Sequence, residues 1–163
     1  MKKTNLYIGL LELGKLIPCV CVLVLLVGLL SSGKVSNTGI EAMTEQVVAQ
    51  ADLSHVQLAD NQMVKRLYGI DPSAYDGITL YYPISNMDAD EIFLIRLADV
   101  SQQETVKQAI DARLETQLAS FDGYGVDQYE TLEKSVVVVQ GNYILWVSAA
   151  DTEPIVRAFK EGL

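Results

Sequence analysis

Along the C-terminal four-fifths of the chain the apolar positions switch between a helical and a strand period, and each switch marks an element. Ile40, Met43, Val47 and Ala51 recur at helical spacing, and Glu41 and Glu45 stand in the early turns, where a carboxylate favours the positive end of the helix dipole. A second short helix carries Met63, Val64 and Leu67, with Asp60 as its cap and Gly69 as its stop before the turn-rich Asp71-Pro72-Ser73. Ile78 to Ile84 and Glu91 to Ala98 are rich in β-branched and aromatic residues and are separated by the polar stretch Ser85 to Asp90, so they read as a pair of strands. The capping box Ser101-x-x-Glu104 then opens a long helix. Val106, Ile110, Leu114, Leu118 and Phe121 mark one face of it, with Lys107, Asp111 and Glu115 opposite, and Gly123 and Gly125 end it.

Ser135 to Gln140 and Tyr143 to Ser148 form a hairpin about Gly141-Asn142, a two-residue loop able to supply the positive φ such turns need. Asp151 caps a last helix with Ile155, Val156 and Phe159, closed by Gly162. The order is two helices, then ββα, then ββα, which predicts an α+β domain on an antiparallel sheet. One irregularity carries information. An antiparallel sheet with a wet face alternates apolar and polar residues, yet Val136 to Val139 and Ile92 to Ile95 are apolar at every position. Leaving such a face in water would forfeit ~1.5–3 kcal/mol per large side chain, so both faces need cover. The N-terminal helices opposite the two ββα helices are the expected cover, and a partner subunit is the other possibility.

A different segment precedes this domain. From Leu16 to Gly33 no residue is charged, and at ~1.5 Å per helical residue the run spans roughly 27 Å, close to the hydrocarbon core of a bilayer. Lys2, Lys3 and Lys15 precede it, whereas Glu41, Glu45 and Asp52 follow Lys34, so the positive-inside bias puts the N-terminus in the cytoplasm and the domain outside. The expected organisation is a cytoplasmic tail over 1–15, a transmembrane helix or uncleaved signal anchor over 16–33, a tether over 34–39, and an extracytoplasmic α+β domain over 40–163. The alternative is a signal peptide cleaved near Gly33, after Ser31-Ser32, which would release the same domain as a secreted protein.

Composition sharpens this division. The 163 residues carry a net charge of -9, yet their mean hydropathy is +0.22. Met1 to Lys34 holds four lysines and one glutamate; of the 12 Lys/Arg and 21 Asp/Glu, the other eight and twenty fall in Val35 to Leu163, which therefore carries -12. Such a charge repels phosphate backbones and anionic polymers, and Lys65-Arg66 is the largest basic cluster in the domain, so nucleic acid is excluded as a partner. Cys19 and Cys21 both lie in the apolar run, which leaves the domain without a thiol for a disulfide, a nucleophile or a metal.

Candidate chemistry is sparse. His55 is the sole histidine and follows Ser54, with no acid in a triad-like relation to the pair; it reads as a surface residue between elements. No phosphate-binding glycine loop or dinucleotide fingerprint occurs, and no cofactor is expected. Asn86, Asp88 and Asp90 alternate like the opening of a calcium loop, but Glu91 stands where glycine is needed and Leu97 where the bidentate glutamate belongs. No catalytic or metal-ligating residue is assigned. Tyr81, Tyr82, Tyr143 and Trp146, with Asp88, Asp90 and Glu91, form the candidate interaction surface, since aromatic rings beside carboxylates suit a protein partner or a glycan.

Leu67-Tyr68-Gly69-Ile70-Asp71, then Ala89-Asp90-Glu91-Ile92 opening a strand, the long helix with Arg113, and Gly141-Asn142-Tyr143 before an apolar strand occur in an order that resembles a bacterial family known as domain of unknown function four-three-five-eight, over roughly Gln62 to Phe159. The resemblance implies an N-terminal membrane anchor or lipoprotein signal, one small exported domain, and association with membrane O-acyltransferase systems that decorate envelope polymers. It implies no catalytic residue. The leading expectation is a non-enzymatic envelope interaction or accessory protein that is held to the membrane through its N-terminal helix and docks on an envelope protein or a second copy of itself. A glycan- or cation-binding module is the alternative, and a carboxylate-based hydrolase the second.

Overall fold

A computed structural model describes residues 35–163 of the chain. The expected cytoplasmic tail and transmembrane helix fall outside the described residues. Among the described residues no helix is long and apolar enough to cross a membrane. The elements are α1 (Ile40–Val48), β1 (Val56–Leu58), α2 (Asn61–Tyr68), β2 (Gly77–Pro83), β3 (Glu91–Arg96), α3 (Gln103–Phe121), α4 (Val126–Glu133), β4 (Val136–Gln140), β5 (Tyr143–Ser148) and α5 (Glu153–Glu161). The five strands form one antiparallel sheet in the order β1-β2-β3-β5-β4.

The α+β class and both strand pairs are as the periodicity predicts. Two elements are additional. β1 pairs with β2, placing Gln57 opposite Tyr82, and it escapes the pattern because three residues are too few to show a period. α4 follows the glycines that end α3. Gly123 does take a positive φ of 84°, but the chain re-enters a helix at Val126 and seats Leu132 against Phe121 and Ala89.

Local signals act largely as expected, with shifts at the helix starts. Asp60 Oδ1 accepts from the Met63 N–H at 2.7 Å, and Gly69 closes α2 in the left-handed region at φ 68°. The cap before α3 is Asp99 and not Ser101: Asp99 accepts from Ser101 N–H, and the Gln102 side chain accepts from Asp99 N–H, so a short 3₁₀ turn over Val100–Gln102 precedes the helix. Asp151 accepts from Glu153 N–H beside α5, while Thr152 holds the cap position itself. In the β4–β5 hairpin only Gly141 has a positive φ, at 61°, the pattern of a turn with glycine first.

Both sheet faces are covered, but not in the expected arrangement. On one face Leu80, Phe93, Ile95, Ile144 and Trp146 meet Val64 and Tyr68 of α2 and Val106 and Ile110 of α3. On the other, Ile92, Leu94, Tyr143, Leu145 and Val147 meet Met43 and Val47 of α1 and Ile155 and Phe159 of α5. Each face thus receives one N-terminal helix and one helix that follows a strand pair. The two ββα helices lie on opposite faces, so the expectation that they share one is corrected. The apolar runs in β3 and β5 follow directly, since every side chain in Ile92–Ile95 and Tyr143–Val147 is buried.

Within the stretch expected as a tether, Ser36 and Thr38 are bonded to the domain. Ser36 N–H donates to Asn142 Oδ1 at 2.9 Å, Tyr143 OH donates to Thr38 O at 2.7 Å, and Thr38 Oγ1 donates to Gly162 O at 2.8 Å. Ser36 is buried by these contacts.

Candidate functional site

The one buried charge among the described residues is Glu91, at 0% exposure on the first residue of β3. It survives there because every acceptor position is used. Tyr68 OH donates to Oε1 at 2.6 Å and Arg113 Nε to the same oxygen at 3.2 Å; Arg113 Nη2 donates to Oε2 at 2.7 Å and Gln117 Nε2 at 3.0 Å. Helical spacing explains how α3 supplies two of the partners, for Arg113 and Gln117 are four residues apart and share a face. Tyr68 also stacks on Phe93, with ring centroids 4.1 Å apart, which ties the polar cluster to the core.

Burial raises the Tyr68 phenol well above its usual range, and the adjacent Glu91 charge adds to the effect. For Arg113 burial works against the charge, but the hydrogen bond and charge of Glu91 prevail and its ionised form is favoured further. Both Glu91 oxygens are thus filled, two donors to each.

The cluster stands beneath a cleft of about 440 Å³ between α2 and α3. Met63, Leu67, Tyr82 and Phe121 supply apolar walls; Arg66, Asp88 and Arg113 supply charge. A second depression, on the side of α1 and α5, is lined by Asp52, Asp90 and Asp151. Burial holds the Asp90 carboxyl above its ordinary range; His55 pulls it down, and the nearby Asp88 and Asp52 push it up. The folded state therefore holds that proton more tightly than the unfolded chain does. Its ionisation costs stability as pH rises through the raised value, and costs nothing below the unfolded carboxyl range near about pH 3.9. Asp90→Asn is expected to raise the melting temperature at pH 7 and to leave it unchanged near pH 3, as read by thermal unfolding.

The seven residues of the expected interaction surface are therefore dispersed. Glu91, Tyr143 and Trp146 are fully buried and cannot be presented to a partner, which corrects their assignment. Glu91 serves the internal cluster, Tyr143 anchors Thr38, and Trp146 lies in the core below α2 and α3. Tyr82 and Asp88 line the cleft, Asp90 lines the acidic depression, and Tyr81 packs from the α1/α5 side. Asp88 and Asp90 thus open onto different hollows. Among the described residues no group of three or more His, Cys, Asp or Glu side chains is placed to hold a metal ion. His55 is exposed, as expected.

A feature missed by that reading is the open side of β4. Among the described residues the strand ends the sheet and pairs with β5 alone. A two-residue hairpin loop closes on a hydrogen-bonded pair, here Gln140–Tyr143, so ladder alternation turns the Val136 and Val138 amides toward β5. The N–H and C=O groups of Val137 and Val139 face outward. Their side chains lie on the α2/α3 face, opposite Trp146 and Ile144, but beyond the cover of the helices, at 40% and 39% exposure. The signal was present in the sequence as four consecutive valines; what it lacked was the strand's place at the edge.

A small α+β domain with a five-stranded antiparallel sheet, covered on both faces and open along one edge, is thereby defined. A family model described as a domain of unknown function (DUF4358) matches residues 49–149, and the chain belongs to that family. The match takes in β1 and ends before α5, a span shifted toward the N-terminus from the Gln62 to Phe159 expected from the motifs. The motif residues Tyr68, Glu91 and Arg113, distant in sequence, meet in the buried cluster. No curated protein and no solved structure matches the chain.

Proposed function

We infer that the protein is a membrane-tethered, extracytoplasmic binding domain, a non-enzymatic accessory to another component of the cell envelope. The uncharged run from Leu16 to Gly33 and the lysines before it support a single-pass anchor with a cytoplasmic N-terminus. The -12 of the remaining chain suits a domain that stays off anionic polymers and meets a neutral or basic partner.

The observation that carries the binding role over a hydrolytic one is the state of Glu91. A general acid or base needs an oxygen free to exchange a proton with substrate. Both Glu91 oxygens are instead filled by Tyr68, Arg113 and Gln117, so this carboxylate holds the fold.

Two measurements test the reading. An alkaline phosphatase fusion at Leu163 is expected to be active and a β-galactosidase fusion inactive; the reverse pattern would overturn the topology. In cells lacking the gene, a triple variant Asp52→Asn/Asp90→Asn/Asp151→Asn is expected to restore the wild-type phenotype. Failure of that stably folded variant to complement would favour carboxylate chemistry over binding.

A further inference from the structure

We propose that β4 is a docking strand, which takes an extended, basic-flanked segment of another exported polypeptide as a sixth strand of the sheet. This deepens the binding-domain reading and rests on it.

The two edges of the sheet are built differently. β1 is three residues long, and shortness is one of the ways proteins blunt a sheet edge. β4 has five residues, Val136-Val137-Val138-Val139-Gln140, with no proline, no lysine and no inward-pointing charge within it. The outward N–H and C=O groups of Val137 and Val139 make no backbone hydrogen bond to any turn or loop of the described chain. The same two residues leave their side chains bare on the α2/α3 face. One stretch of chain thus offers both what a pairing strand needs, a row of open backbone groups, and what gives it register, alternating apolar contacts. A segment laid beside it would continue the layer formed by Val137, Val139, Trp146 and Ile144 on one face, and that formed by Val136 and Val138 on the other.

Charge selects the occupant. Two copies of the domain joined at this edge would bring together two bodies of -12 each, a total that includes Glu130 and Glu133 of α4, the helix that leads into β4, with Lys134 bonded to Glu130. Self-pairing is opposed by that field, whereas a segment flanked by Lys or Arg is drawn to it. The partner's pairing stretch is about five residues, extended, rich in Val, Ile or Thr, and free of acidic residues.

The test uses the full-length chain in detergent and a fluorescent peptide of about nine residues, valine and threonine alternating between two pairs of lysines. Saturable binding is expected by anisotropy, weakening as salt is raised. Val139→Pro removes one outward N–H without touching the ladder to β5, and Val137→Lys/Val139→Lys installs the edge charges this strand lacks. Each is expected to weaken binding by about tenfold or more, with the far-ultraviolet circular dichroism unchanged. A peptide with glutamates in place of the lysines is expected to bind about tenfold less tightly than the basic one. Equal binding by wild type and both variants, or by acidic and basic peptides, would overturn the proposal. So would a dimer in sedimentation that the double lysine variant abolishes, since β4 would then serve a second copy. If the native chain binds no peptide while the phosphatase fusion is active and the carboxylate variant complements, the docking strand falls and the broader binding reading stands.

Discussion

Glu91→Ala is expected to lower the unfolding free energy by about 3–5 kcal/mol in urea titrations, a large share of what holds a domain of this size together. The loss arises less from the attraction removed than from what is left behind. Arg113, with its side chain 13% exposed, would keep its charge without a counter-ion, and the Tyr68 hydroxyl and Gln117 amide would lose their acceptor. Glu91→Leu combined with Arg113→Leu removes both charges and is expected to cost less than Glu91→Ala alone. A double variant worse than the single one would show that the pair stabilises beyond its desolvation cost. The cluster also sets an alkaline limit. Tyr68 has a raised phenol pKa in the folded state, so its contribution is present below about pH 10 and is lost as pH rises through the folded value.

Trp146→Ala is expected to cost about 3–5 kcal/mol as well, by a different mechanism. The indole is fully buried on β5 between Val137 and Phe93 of the neighbouring strands and makes an edge contact with Tyr68 at 6.2 Å between ring centroids. Its removal opens a cavity in the layer beneath α2 and α3. Trp146→Phe keeps most of the apolar volume and deletes Nε1, which is buried without a hydrogen-bond partner among the described residues. Its cost is therefore expected to be well under half that of the alanine variant. Equal losses would indicate that the indole nitrogen is satisfied in solution.

The parts of the fold legible in the sequence are those whose signals are local. The Asp60 cap, the Gly69 stop, the long face of α3 and the Gly141-Asn142 hairpin each depend on residues a few positions apart, and each appears with small shifts. The continuous apolar runs correctly demanded cover on both sheet faces. What they could not reveal is which helix covers which face, because a helix's apolar residues show that it packs but not on which side of the sheet, and that choice depends on strand order. That order, with β5 inserted between β3 and β4, is a long-range property.

Three residues of the candidate surface were misplaced for the same reason. Tyr143, Trp146 and Glu91 have residue types common at interfaces, but β5 and β3 are both interior strands, so those types are spent on the core and the cluster. Arg113 was visible as a helix residue and Tyr68 as part of a short motif. Their meeting with Glu91 needed the register of β3 against α2 and α3. Conversely the Val137 and Val139 side chains read as core and lie bare, because the edge strand extends past the helices.

Residue-resolved amide exchange on the full-length chain, with and without the lysine-flanked peptide, tests the central claim most directly. In the free protein the Val136 and Val138 amides, bonded to β5, are expected to be protected, while those of Val137 and Val139 exchange rapidly. Bound peptide is expected to bring Val137 and Val139 into the slow class and leave the β1 edge unchanged. Protection of Val137 and Val139 in the free chain, or no change at these two amides under saturating peptide, would contradict it.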